Sequence, residues 1–145
     1  MNGSSLLFVY GTLMTSAIGR LGRLQRARLI VEARLIGAAS VYGRLYDLGD
    51  YPGLVVGKDA AGVVYGELFE MRAPDATLWW LDAYEGVRPG GVAQGEYDRR
   101  YVDIRHESGA CHRAWAYVYR CEIAARVSLS DGRWRGRGNA KFPAK

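Results

Sequence analysis

Long hydrophobic runs are missing from this 145-residue chain. No stretch reaches the roughly 18 apolar residues of a membrane-spanning helix, so no membrane partner is expected. Cysteine and histidine are scarce, at two of each. Cys111 and Cys121 lack metal-ligand spacing, and His106 and His112 have no carboxylate or thiol at such spacing. The histidines read as surface residues, and no metal or other cofactor is expected. The opening "MNGSSLLFVYG" has neither the basic segment nor the apolar length of a secretion signal. The expectation is a cytoplasmic protein whose two thiols are reduced and lie in the core. Also absent are a Gly-x-Ser-x-Gly elbow, a P-loop and a dinucleotide fingerprint, which removes common nucleophile and phosphate-binding machinery.

Acidic residues are outnumbered, 15 against 20 basic, but the excess is local. Residues 133–145 hold Arg133, Arg135, Arg137, Lys141 and Lys145 and no acid, which leaves the first 132 residues balanced at fifteen of each sign. The expected organisation is one domain over 1–132 and a basic tail over 133–145 that extends from the core. A second basic cluster, Arg20, Arg23, Arg26 and Arg28, reads as a solvated face or as an attractor for an acidic substrate. Neither cluster comes with a nucleic-acid motif or interleaved stacking aromatics, so nucleic acid is not an expected partner.

What the chain does have is enough apolar sequence, 49%, for one core. Residues 6–9 form a continuous apolar strand. "TSAIGRLGRLQRA" predicts a short helix over 15–27, weakened by two glycines. "RLIVEARLIGAASVYGRLYDLG" predicts one or two strands over 28–49, with a break at Gly43. A turn at Pro52-Gly53 and a strand over 61–71 follow. "APDATLWWLDAYEG" predicts the clearest helix, with Pro74 and Asp75 in its first turn, an apolar stripe of Leu78, Leu81 and Trp79, and Gly86 as its stop. A glycine-rich loop over 87–96 and strands over 97–106 and 112–120 complete the pattern. One strong helix among about six strands gives an α+β class with mostly antiparallel pairing.

Two places break local rules. The first strand stops at Tyr10-Gly11-Thr12, either as a glycine turn or as a pocket of exposed N–H groups for an anion or carbonyl. Glu85 occupies the last turn of the predicted helix, where the dipole disfavours an anion. It is either a surface residue at a frayed end or a carboxyl poised to take and return a proton.

The ordered set "FVYGTL", "GRLYDLGDYPGLV", "VYGELFEM", "LDAYEG", "YDRRYV" and "AWAYVY" resembles the γ-glutamylcyclotransferase-like family over residues 6–120. That resemblance implies a small, mostly antiparallel β-barrel with flanking helices. It implies intramolecular cyclisation of a γ-glutamyl amine or γ-glutamyl amino acid, with release of 5-oxoproline and a free amine. By the same resemblance Glu85 is the acid–base residue, and Tyr10, Gly11, Thr12 and Leu13 hold the γ-glutamyl group. Tyr51, Tyr101 and Tyr119 are pocket-wall positions or core residues. The loop "MTSAIGRLGRLQ" departs from the basic-and-asparagine version of many relatives. The alternative reading is a non-catalytic module that binds a small carboxylate metabolite in the same pocket. Self-association is left open.

Overall fold

The computed structural model describes residues 5–17, 19–57, 62–87, 95–123 and 126–135. The described elements, in chain order, are β1 (Leu6–Val9), α1 (Arg23–Glu32), β2 (Ala33–Asp47), β3 (Pro52–Val56), β4 (Val63–Met71), α2 (Pro74–Glu85), β5 (Tyr97–His106), β6 (Cys111–Tyr119) and β7 (Val127–Ser128). Five strands close a ring in the order β2-β4-β1-β6-β5, and β5 pairs back to β2 through Ala39–His106 and Ser40–Arg105. All of these pairings are antiparallel except β1–β6. This is the expected α+β, mostly antiparallel barrel with flanking helices.

Closure leaves no free position for the far half of β2. At about 3.3 Å per residue, its 15 residues outrun the barrel wall. Residues 33–42 pair with β4, while 43–47 leave the ring and pair with β3. The break expected at Gly43 does not occur; the strand runs through it. Leu7, Phe8 and Val9 of β1 are buried, as their unbroken apolar run requires. Leu45, Leu54, Leu68, Phe69 and Ile104 join them in one core.

Helix α1 is displaced from its expected place. It starts after Gly22 and includes "RLIVE", which reads as strand by propensity. Tertiary anchoring overrides that preference: Leu29 is fully buried, and Arg28 and Glu32 form an i,i+4 ion pair of 2.7 Å. Glu32 also accepts hydrogen bonds from Thr77 Oγ1 at 2.6 Å and Trp80 Nε1 at 2.9 Å, tying α1 to α2. Burial alone would raise the Glu32 carboxyl, but the bonds from Thr77, Trp80 and Arg28 prevail and bring it down to about 2. In α2 the predicted bounds hold, although the stripe differs. Thr77, Leu78, Leu81 and Asp82 are buried, whereas Trp79 is 63% exposed. At about 100° per residue, Trp79 points well away from the face that Leu78 and Leu81 share.

Two further expectations are corrected. Both cysteines are exposed, not in the core; Cys111 starts β6 on the outside of the wall, and Cys121 follows its end. The packed chain also continues past position 132. Trp134 is buried in the core, and the Arg133 guanidinium lies 4.0 Å from the centroid of Tyr65. Residues 88–94 of the glycine-rich loop and 136–145 of the basic tail lie outside the described residues.

Replacing Trp134 by Ala should therefore lower the unfolding free energy by about 3–5 kcal/mol in urea titrations. Leu24→Ala, at a site 76% exposed, should change it by no more than about 0.5 kcal/mol. The depressed Glu32 carboxyl favours the folded state at all pH values above its ordinary range. That contribution is lost as pH falls from about 4.5 through about 2. Glu32→Gln should flatten this part of the stability–pH curve.

Candidate active site

At the exit of β1 the chain is tied in several directions. The Tyr10 hydroxyl donates to the Tyr117 carbonyl at 2.6 Å and accepts from the Leu54 N–H at 3.2 Å, bridging β6 and β3. Gly11 sits against Pro52: a Cβ there would come within 2.7 Å of the proline Cγ, so only glycine fits. The Gly11 carbonyl accepts from the Met14 N–H at 3.1 Å, which turns the chain over 11–14. From α1, Arg26 Nη1 donates to the Thr12 carbonyl at 2.7 Å, and Thr12 Oγ1 lies 3.1 Å from the Tyr84 hydroxyl of α2. Arg26 is thus a strut for this loop. The N–H groups of Gly11, Thr12 and Leu13 have no acceptor among the described residues.

Helix α2 stops where its pattern predicted, on Gly86 in the left-handed region at φ 83°. Glu85 is its last residue. The loop 10–13, Tyr51, Pro52, Glu85, Tyr97 and Tyr117 enclose one hollow of about 360 Å³, part of it open to solvent. Glu85 keeps partial solvent access, yet its carboxyl has no hydrogen-bond or ion-pair partner among the described residues. Burial, and next the charge of Asp82, push it up to about 8. The negative end of α2 acts in the same sense.

The hydroxyl protons around the hollow are committed elsewhere. Tyr97 donates to the Pro52 carbonyl at 2.6 Å, Tyr117 to Asp82 Oδ1 at 2.7 Å and Tyr51 to Glu96 Oε1 at 2.7 Å. Burial pushes the Tyr10, Tyr97 and Tyr117 phenols well up, so they stay protonated. The hollow therefore has polarity. Its lining brings together loop residues whose N–H groups have no acceptor among the described residues and carboxyl and phenolic oxygens that carry lone pairs.

Of the residues singled out in the sequence, Tyr10, Gly11, Thr12, Leu13, Tyr51 and Glu85 meet on this hollow. Tyr119 stands behind it, edge-on to Tyr97 at 5.9 Å between centroids. Tyr101 is elsewhere, stacked on Trp115 at 4.3 Å. It shares a strand with Tyr97 but lies four residues on, about 13 Å along the chain. Sequence reasoning missed Tyr97 and Tyr117. The two-residue alternation of "AWAYVY" held a signal, because it puts Tyr117 on the same face as Tyr119. No group of three or more His, Cys, Asp or Glu able to hold a metal occurs among the described residues. A second hollow, of about 710 Å³, lies on the outer wall around Tyr42, Tyr65, Asp103 and Arg105. Its carboxylate, Asp103, is paired with Arg113.

The family model described as "Gamma-glutamyl cyclotransferase, AIG2-like" matches residues 7–136. Gamma-glutamylcyclotransferase family protein ytfP of Citrobacter rodentium is 34% identical over 132 residues, covering 90% of this chain and 96% of that protein. Gamma-L-glutamyl-butirosin B gamma-glutamyl cyclotransferase of Niallia circulans is 34% identical over 127 residues, covering 86% and 73%. The solution structure of Escherichia coli ytfP superposes with a TM-score of 0.60 at 30% identity, covering 97% of this chain and 99% of that one. An AIG2-like protein from mouse shares the fold at a TM-score of 0.64 and 20% identity, covering 87% and 86%. With a family match that spans nearly the whole described barrel, the chain belongs to the AIG2-like γ-glutamyl cyclotransferase family.

Proposed function

We propose that the protein cyclises a γ-glutamyl amine or γ-glutamyl amino acid, releasing 5-oxoproline and a free amine. The observation that carries this reading is that the Glu85 carboxyl and the amides of Gly11, Thr12 and Leu13, none with a partner among the described residues, belong to residues lining one hollow. A γ-glutamyl group is zwitterionic at its α-carbon and has a carbonyl three carbons away. It suits a hollow lined by both donors and acceptors. The relative from Niallia circulans, named for a γ-glutamyl conjugate, supports the same substrate class.

In the reaction the α-nitrogen attacks the γ-carbonyl carbon. Glu85, ionised, takes one proton from the α-ammonium. The five-membered lactam closes, the original bond from the γ-carbon to nitrogen breaks, and Glu85 passes that proton to the departing amine. It then relays the second proton shed by the ring nitrogen, so that the amine leaves as an ammonium and Glu85 ends ionised. Both reacting groups belong to one molecule. Holding that molecule folded can be worth an effective molarity on the order of 10⁵ M or more. The loop amides would bind the oxygen on which charge develops, or the α-carboxylate, in a site shielded from bulk water.

The raised carboxyl fits this role. With no counter-charge among the described residues, the carboxylate is disfavoured until the substrate's ammonium arrives and supplies one. The acid limb of kcat/KM, which reports the free enzyme, should therefore lie near pH 8, with rates rising as pH rises through it. The acid limb of kcat should lie lower. Glu85→Gln should remove the limb and reduce kcat by about 10²–10⁴-fold with substrate affinity largely kept. These values are read by mass spectrometry of 5-oxoproline from a panel of γ-glutamyl amines and amino acids. Near-normal turnover in that variant would contradict the role. Tight 5-oxoproline binding with no turnover across the panel would instead favour a binding module.

A side chain at Gly11 collides with Pro52. Gly11→Val should abolish 5-oxoproline binding in calorimetric titration, with the unfolding transition still cooperative. Unchanged affinity would discount the loop.

A further inference from the structure

Asp82 is the one charged side chain among the buried polar residues described, beside Ser5 and Thr77. Arg99 grips it with two bonds, Nε to Oδ1 at 2.8 Å and Nη2 to Oδ2 at 3.2 Å. The Arg99 guanidinium in turn lies 4.4 Å from the centroid of Trp115, on which Tyr101 stacks. Asp82 Oδ1 also accepts the Tyr117 hydroxyl. A pair this buried is a poor device for stability, because apolar residues of similar size serve as well or better. Its position is more telling. Asp82 and Glu85 are three residues apart on α2, hence neighbours on one face.

We infer that Asp82, clamped by Arg99, is a positioning residue for the site: it draws the Tyr117 hydroxyl proton out of the hollow and sets a fixed negative charge one helical turn before Glu85. The catalytic consequence rests on the proposed function, whereas the electrostatic one does not. Among the described residues, the other titratable groups around Glu85 are phenols: Tyr10 from the loop, Tyr51 ahead of β3, Tyr84 from α2, Tyr97 from β5 and Tyr117 from β6. All are held neutral by burial. Arg26 of α1 acts on Tyr84 and on the Thr12 carbonyl, and Arg99 of β5 is bonded to Asp82. Among the described residues, Asp82 is the charge that acts on Glu85 itself. Tyr101 and Trp115, outside the hollow, gain a role as the support for Arg99.

The device predicts shifts of opposite sign. Asp82→Asn keeps an oxygen for Tyr117, removes the negative charge and leaves Arg99 cationic, so the Glu85 pKa should fall by about one unit or more. Arg99→Met leaves Asp82 without its cation, so the Glu85 pKa should rise. Asp82→Glu retains the charge and should keep Glu85 raised. The test is a ¹³C NMR titration of the Glu85 side-chain carboxyl in the full chain, assigned by its loss in Glu85→Gln. A parallel kcat/KM profile on a turned-over γ-glutamyl compound should show its acid limb moving with the NMR value. A general loosening of the site would lower the pKa in both variants. That outcome, or an unmoved Glu85 in Asp82→Asn, would overturn the inference. Should Arg99→Met not fold, Asp82→Asn against Asp82→Glu decides it, since only the former should move Glu85. Opposite shifts with no turnover of any γ-glutamyl compound would sink the proposed activity and leave this inference standing.

Discussion

A carboxyl at the negative end of a helix, with no partner among the described residues, is a costly thing to hold in place, and the rest of the hollow is arranged around it. In the unfolded chain Glu85 ionises in the ordinary carboxylate range; in the fold it does so near 8. Below the ordinary range it is protonated in both states and costs nothing. Above about 8 it is charged in both, and the full penalty applies, on the order of a few kcal/mol once its remaining solvent access is allowed for. A single domain has few such amounts to give up. The penalty is borne because α2 is fastened elsewhere, by Leu78 and Leu81 in the core and by Thr77 and Trp80 on Glu32 of α1.

The loop opposite is fixed by the same neighbours. Arg26 of α1 and Tyr84 of α2 hold Thr12, and Pro52 of β3 packs against Gly11. Barrel closure has a part too. Because β2 leaves the ring after position 42, β3 is carried out to the wall where Pro52 and Tyr51 meet the exit of β1. In the proposed reaction these groups would meet the ligand with little left to reorganise, which is where electrostatic catalysis draws its strength.

Much of this was legible in the sequence. The helix over 74–85 is marked by Pro74, Asp75 and Gly86, and the residue that breaks local preference, Glu85, lines the hollow. The ordered motifs indicated the barrel. Other features depend on tertiary contacts that no local pattern encodes. "RLIVE" has strand-forming residues, yet Leu29 and Glu32 dock it as helix. Trp134 lies in a Gly- and Arg-rich stretch and still fills the core. Tyr101 and Tyr97 look alike in sequence, and only their distance along β5 separates a stacking residue from a wall of the hollow. The Asp82–Arg99 pair joins residues 17 apart on a helix and a strand, which spacing alone does not announce.

The central claim is that the Glu85 carboxyl and the amides of Gly11, Thr12 and Leu13 contact one ligand. Titrating the protein with 5-oxoproline while following backbone amides and the Glu85 carboxyl by NMR tests it most directly. Saturable, concerted shifts at those three amides and at Glu85, with the outer-wall residues around Tyr42 and Asp103 unmoved, are the predicted result. Saturable binding that moves the outer wall and leaves the three amides and Glu85 in place would contradict it.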